Sequence, residues 1–237
     1  MRLDKAVALT GLTRSEARRA IAAGRVQVDG QVARDAGMPV DPARVRLDGA
    51  EPVPAGEAYI MVHKPAGVLT ATEDRRLPTV VDLLPEPLRR RGLGPVGRLD
   101  RDVTGLVLLT TDGQLAHRLI SPRWEEDKVY LAETENVPGE EAAERFRAGI
   151  ELSDFTAKPA LLEVLEDRGE SALCRVTVRE GKFHQVKRML SSVGCPVITL
   201  KRVSVAGLVL DEGLESGQWR YLTDEEADAL YKRVQMR

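Results

Sequence analysis

Asp100 stands in the stretch Gly97-Arg98-Leu99-Asp100-Arg101-Asp102-Val103-Thr104-Gly105-Leu106, where glycines frame charged side chains and the chain runs straight into the apolar segment Leu106-Val107-Leu108-Leu109-Thr110. A carboxylate on a loop at the edge of a rigid strand is a usual place for a site. The same residues could equally form a turn whose arginines and aspartates pair in water. Tyr130, in Lys128-Val129-Tyr130, has the chemistry to lie against a planar ligand, but it also suits a half-buried strand aromatic. Lys187 and Arg188 could hold an anion or form the solvated side of a helix whose core side is Val186, Met189, Leu190 and Val193. His184 reads as a structural hydrogen-bonding group at the start of that helix. Cys174 and Cys195 form no CxxC pair, and His63, His117 and His184 are scattered, so neither a disulfide framework nor a zinc site is signalled. Buried, reduced thiols are expected.

The elements that must position these groups fall into two units. Residues 1–50 read as a small α/β module. A short helix on Leu3, Ala6 and Val7 can stop at Gly11. A second helix has the capping-box spacing Thr13…Glu16, an apolar stripe of Ala17, Ala20 and Ile21, and Gly24 as its C-terminal cap. Val26, Val28 and Val32 then alternate around Asp29-Gly30, the pair that favours a tight hairpin turn. Arg14 and Arg18 share a helix face, with Arg25 just beyond it, and that face could grip a phosphate backbone. The Pro-rich stretch 51–57 is expected to be a linker.

Residues 58–237 are expected to form a larger α+β domain, because strands and helices mix without a regular βαβ alternation. Strands are predicted over Tyr59–Val62, Leu106–Thr110, Lys128–Thr134 and Leu173–Arg179. A helix is predicted from His184 to Val193, and a last one is capped by Thr223 and Glu226.

The formal net charge of −2 hides a segregation. Residues 1–30 hold six Lys and Arg against three acids, residues 179–202 hold six against Glu180 alone, and residues 211–230 hold seven acids against Arg220. The two basic segments are where an acidic polymer would be bound. No run of about 18 apolar residues is present, and Met1-Arg2-Leu3-Asp4-Lys5 lacks the order of a signal peptide, so a cytoplasmic protein with no membrane partner is expected.

The Gly97–Leu106 stretch resembles the GRLDxxTxGL active-site motif of the pseudouridine synthases. The continuation Leu108-Leu109-Thr110-Thr111-Asp112-Gly113 resembles the branch that modifies small-subunit ribosomal RNA, as do Thr104–Leu108 and Ile120-Ser121-Pro122-Arg123. Lys128-Val129-Tyr130 is similar to the K-x-Y motif. Gly181-Lys182-Phe183-His184-Gln185-Val186-Lys187-Arg188-Met189 is similar to G-x-x-HQV-KRM, and Leu200-Lys201-Arg202 with Gly207-Leu208 to a late basic strand. Arg2-Leu3-Asp4-Lys5, Thr13–Arg18 and Gly24–Gly30 resemble the S4 RNA-binding domain. Val103, and Ala206 within Val205-Ala206-Gly207, depart from the pattern at positions to which no chemistry is assigned.

The resemblance implies a small S4-like (αL) domain linked to a catalytic domain with a mixed or antiparallel sheet, and isomerisation of a uridine in 16S rRNA. A 23S rRNA target, or a non-catalytic ribosome-assembly factor, are the alternatives. Asp100 is the implied catalytic carboxylate, Lys187 the cation that keeps it charged, and Tyr130 the aromatic over the base. Arg98, Leu99, Thr104, Gln185, Arg188 and Arg202 are implied substrate contacts, and Arg2, Lys5, Arg14, Ser15, Arg18 and Arg25 implied RNA contacts. The reaction implies no cofactor and no metal, the partner is ribosomal RNA, and a monomer is expected.

Overall fold

The computed structural model describes residues 1–8, 10, 12–49 and 56–236. The expected stop at Gly11 and the expected linker, apart from Gly56 and Glu57, lie outside the described residues.

In the N-terminal unit, α1 (Leu3–Ala8) and α2 (Arg14–Ala22) pack on a three-stranded antiparallel sheet of β1 (Val26–Val28), β2 (Gln31–Val32) and β3 (Val45–Leu47), ordered β2-β1-β3. Both halves of the Thr13/Glu16 capping box are made, and Gly24 follows the helix at φ +72°. Asp29 and Gly30 both have positive φ, which is what a two-residue hairpin with the native twist requires. Leu3, Val7, Ala17, Ile21, Val26 and Val45 form a separate small core. β3 has no marker in the sequence beyond three residues, and its partner β1 lies across a long loop.

The larger unit begins with β4 (Tyr59–Lys64), α3 (Glu86–Arg89), β5 (Gly94–Pro95), β6 (Thr104–Thr110), α4 (Gly113–Ile120) and β7 (Lys128–Thr134). It continues with α5 (Glu140–Ala148), the small hairpin β8 (Ile150–Glu151) and β9 (Thr156–Ala157), β10 (Leu161–Asp167), β11 (Ala172–Val178) and α6 (Gln185–Ser192). It ends with β12 (Val197–Val205), β13 (Leu208–Val209), β14 (Trp219–Tyr221) and α7 (Asp224–Arg233). The main sheet runs β10-β11-β7-β12-β6-β4-β14, with β13 on β12 and β5 on β6. Its pairs are antiparallel except β12 with β6, so the sheet is mixed, as expected for α+β.

β6 is nearly uniformly apolar because both faces of the sheet are covered. Val107 and Leu109 enter one core cluster, while Leu106 and Leu108 enter the other. Burying each of these side chains contributes about 1.5–3 kcal/mol. That makes β6 a stiff base for the loop preceding it. Gly105 explains how the parallel pair forms: it has φ +107° and lies opposite Arg202, where a Cβ would sit 2.2 Å from the Arg202 carbonyl oxygen. Only glycine lets the strands close there.

Candidate active site

Asp100 sits on the Gly97–Gly105 loop, and that loop is fastened from three directions. Leu99 and Val103 are buried in the core below it. The Thr70 hydroxyl donates to the Leu99 carbonyl at 2.9 Å and accepts from the Leu99 N–H at 3.1 Å. Lys64, at the end of β4, is fully buried and donates from Nζ to the carbonyl oxygens of Pro65 (2.9 Å), Arg101 (3.1 Å) and Val103 (2.7 Å). Burial pushes the Lys64 ammonium down to about 8, against the opposing pull of Asp102 and Asp100. The loop is thereby preorganised, with the Asp100 side chain 31% exposed.

Asp100 faces a cleft lined by Arg98, Leu99, Val103, Tyr130, Gly181, Lys182, His184, Gln185 and Lys187, among others. Tyr130 comes from β7 and is buried to 8% exposure, so its ring is a wall of the cleft. His184 and Lys187 come from the start of α6. His184 Nε2 lies 3.5 Å from Asp100 Oδ2, and Lys187 Nζ lies 4.0 Å from the same oxygen. Lys187 makes its close contact elsewhere, donating to Asp102 Oδ2 at 2.6 Å. That hydrogen bond holds the Asp102 carboxyl below the usual carboxylate range. A carboxylate thus shares one cleft with an aromatic ring, a histidine, a lysine and an arginine.

A model of the RNA pseudouridylate synthase family matches residues 58–192, and a model of the S4 domain matches residues 1–45. The chain belongs to the RNA pseudouridylate synthase family. It is 42% identical to "Ribosomal small subunit pseudouridine synthase A" of Escherichia coli strain K12, over 95% of this chain and 98% of that protein. It is also 42% identical to "Uncharacterized RNA pseudouridine synthase YtzG" of Bacillus subtilis, over 97% and 98%. A solved pseudouridylate synthase superposes with a TM-score of 0.69 at 36% identity, covering 97% of this chain and 99% of the other. The chain is therefore an isomerase of the pseudouridine synthase class with an S4 domain at its N-terminus.

The synthase fold brings Arg98, Leu99, Asp100, Tyr130, Gln185 and Lys187 into one cleft. Three other expected substrate contacts are engaged elsewhere, outside the cleft lining. The Thr104 hydroxyl donates to the Leu200 carbonyl at 3.4 Å. Arg188 pairs with Asp154, donates to the Ser153 hydroxyl at 3.1 Å and covers the Phe155 ring at 5.1 Å. Arg202 is buried, donates from Nε to the Leu106 carbonyl at 2.9 Å, and has no hydrogen-bond partner at Nη2 among the described residues. These three contacts share a cause: a parallel strand junction and a helix flank are fastened by polar side chains of the motifs. Gln185 is also occupied. Its Oε1 accepts from the Lys182 N–H at 3.0 Å and its Nε2 donates to Glu180 at 2.8 Å, so it shapes the 180–185 loop.

In the S4 domain, Lys5, Arg14 and Ser15 are exposed. Arg18 and Arg2, exposed as well, converge on Asp4 at 3.1 and 3.2 Å, and the Asp4 side chain is only 4% exposed. Arg25 pairs with Asp48. The residues that sequence reasoning missed are Lys64 and Asp102, and His184 was read as structural alone. A lysine closing an apolar strand just before Pro65 is the one signal that could have marked Lys64.

Proposed function

We propose that this chain converts a uridine of small-subunit (16S) ribosomal RNA to pseudouridine, with Asp100 as the reacting carboxylate. The observation that carries the reading is the placing of Asp100 and Tyr130 in one cleft beside His184 and Lys187. The 16S target rests on the 42% identity to the small-subunit enzyme of E. coli over nearly the whole of both chains.

The reaction breaks the N1–C1′ bond of uridine, turns the uracil, joins C5 to C1′, and takes a proton off C5 while N1 gains one, so it is an isomerisation that needs no redox partner. An ionised carboxylate can attack the sugar or base, or take a ribose proton, and Asp100 is exposed enough for either. Lys187, 4.0 Å from Asp100, supplies a cation beside that carboxylate as the base enters. Tyr130 lies where it can contact the ring of an extruded base and take part in removing the C5 proton. Arg98, exposed at the rim, supports the extruded state. Such a pocket sees only a uridine, so the choice of nucleotide falls to the shape of the surrounding RNA. The S4 domain supplies a second grip that raises the local concentration of substrate. We propose that residues 51–57 join the two units, and that the protein acts as a cytoplasmic monomer.

Purified protein incubated with 16S transcript labelled with tritium at uracil C5 tests the role of Asp100. Wild type is expected to release the label, and Asp100→Asn to release it slower by about 10³-fold or more. Equal rates would remove Asp100 from the chemistry, and no release by wild type would leave only an RNA-binding role.

A further inference from the structure

Phe183 is the most exposed of the large apolar side chains among the described residues, at 72%. Single exposed hydrophobics are common and need no explanation of their own. This one stands in the chain between Lys182 and His184, both of which line the cleft. Its ring stacks on His184 with centroids 3.8 Å apart and planes 18° from parallel. His184 adopts φ +50°, a left-handed conformation uncommon for a residue with a side chain, and caps α6 without any side-chain hydrogen bond. Such backbone strain persists where surrounding contacts enforce it. Here they do: Gln185 ties Lys182 to Glu180, and Arg188 donates to the Phe183 carbonyl at 3.5 Å. One face of the phenyl ring is covered by the imidazole, and the other is open to solvent.

We propose that the Phe183–His184 pair is a stacking subsite for an unpaired nucleobase of the substrate RNA, the one next to the uridine in the cleft. The inference rests on the RNA-modifying reading above. Geometry chooses a base over other planar ligands. His184 lines the cleft and reaches to 3.5 Å from Asp100, so a base on the outer face of Phe183 lies one ring beyond a side chain that touches the reacting carboxylate. Lys182, next to Phe183 in the chain, lines the cleft with its ammonium 6.0 Å from the Phe155 ring, and a cation there suits the phosphate between the two nucleotides. Pulling a uridine out of its stack leaves its neighbour with a bare face, and an aromatic ring already fixed in place covers that face at little entropic cost. His184 then has two roles: a support beneath Phe183 and a neighbour of Asp100.

The test compares wild type, Phe183→Leu and Phe183→Tyr on the tritium-labelled 16S transcript, with filter binding of the same transcript as a readout independent of turnover. Leucine keeps the apolar bulk and removes the flat face, whereas tyrosine keeps the face. Phe183→Leu is expected to raise KM and weaken binding by about tenfold to a hundredfold with kcat little changed, and Phe183→Tyr to behave as wild type. Unchanged KM and binding in Phe183→Leu would overturn the proposal. Equal losses in both variants would overturn it too, pointing to a contact that excludes the tyrosine hydroxyl, such as a protein docked on this surface. A loss confined to kcat in Phe183→Leu would reassign the ring to positioning His184. If wild type releases no tritium, the functional reading fails, while the filter-binding comparison still decides the stack.

Discussion

Two lysines divide the work around Asp100. Lys187 approaches the carboxylate to 4.0 Å but hydrogen-bonds to Asp102, whose side chain is 71% exposed. An exposed pair of this kind contributes at most about 1 kcal/mol, so Asp102→Asn is expected to lower turnover by less than about tenfold. Lys187→Met, which removes the cation itself, is expected to lower kcat by about 10²-fold; a loss no larger than that of Asp102→Asn in the same tritium assay would contradict this. Lys64 acts through the backbone. Its folded value of about 8 lies below that of a free lysine, so between about pH 8 and 10.4 the unfolded chain binds the extra proton. This group's contribution to stability therefore rises with pH across that window. Activity is expected to move the opposite way, falling as pH climbs through about 8, because a neutral amine has fewer protons for the three carbonyl oxygens that fix the loop. Lys64→Met is expected to lose about 1–3 kcal/mol of stability, measured by denaturant unfolding, and to lack that alkaline fall. An identical pH profile in the variant would separate Lys64 from the site.

Among the elements, the basic face of the S4 domain also takes part in the packing of its own unit. Arg14 and Arg18 lie four residues apart on α2 and both are exposed, but Arg18 also pairs with the buried Asp4. Arg14→Glu is expected to weaken rRNA binding and lower its salt dependence by about one charge, with the melting temperature unchanged. Arg18→Glu places a second carboxylate beside the buried Asp4 and is expected to lower the melting temperature of this small unit as well. Equal melting temperatures for the two variants would contradict that division. The catalytic sheet has its own version of the same lesson. Gly105 permits the parallel junction of β6 with β12, and Arg202 is tied into that junction by its bond to the Leu106 carbonyl.

Over the whole molecule, what was legible in the sequence was what local patterns encode. The capping boxes at Thr13 and Thr223, the Asp29-Gly30 turn and the buried run of β6 are each set by neighbours within a few residues, and each is found where the spacing puts it. Asp100, Tyr130 and Lys187 were legible as a group through their motifs, and one cleft collects them. Lys64 was not legible, because the carbonyls it binds at Arg101 and Val103 lie 37 and 39 residues away along the chain. The orientation of Arg188 and Arg202 was hidden for the same reason: a motif gives a residue type, while the partner that claims its side chain is chosen by packing. A placed carboxylate, a preorganised loop and a separate RNA grip together predict modification of one nucleotide. The most direct test is a map of pseudouridine on 16S and 23S rRNA from a strain lacking this gene, complemented with wild type or with Asp100→Asn. One 16S position is expected to lose pseudouridine in that strain, to regain it with wild type and not to regain it with Asp100→Asn. An unchanged 16S map, loss at a 23S position alone, or rescue by Asp100→Asn would contradict it.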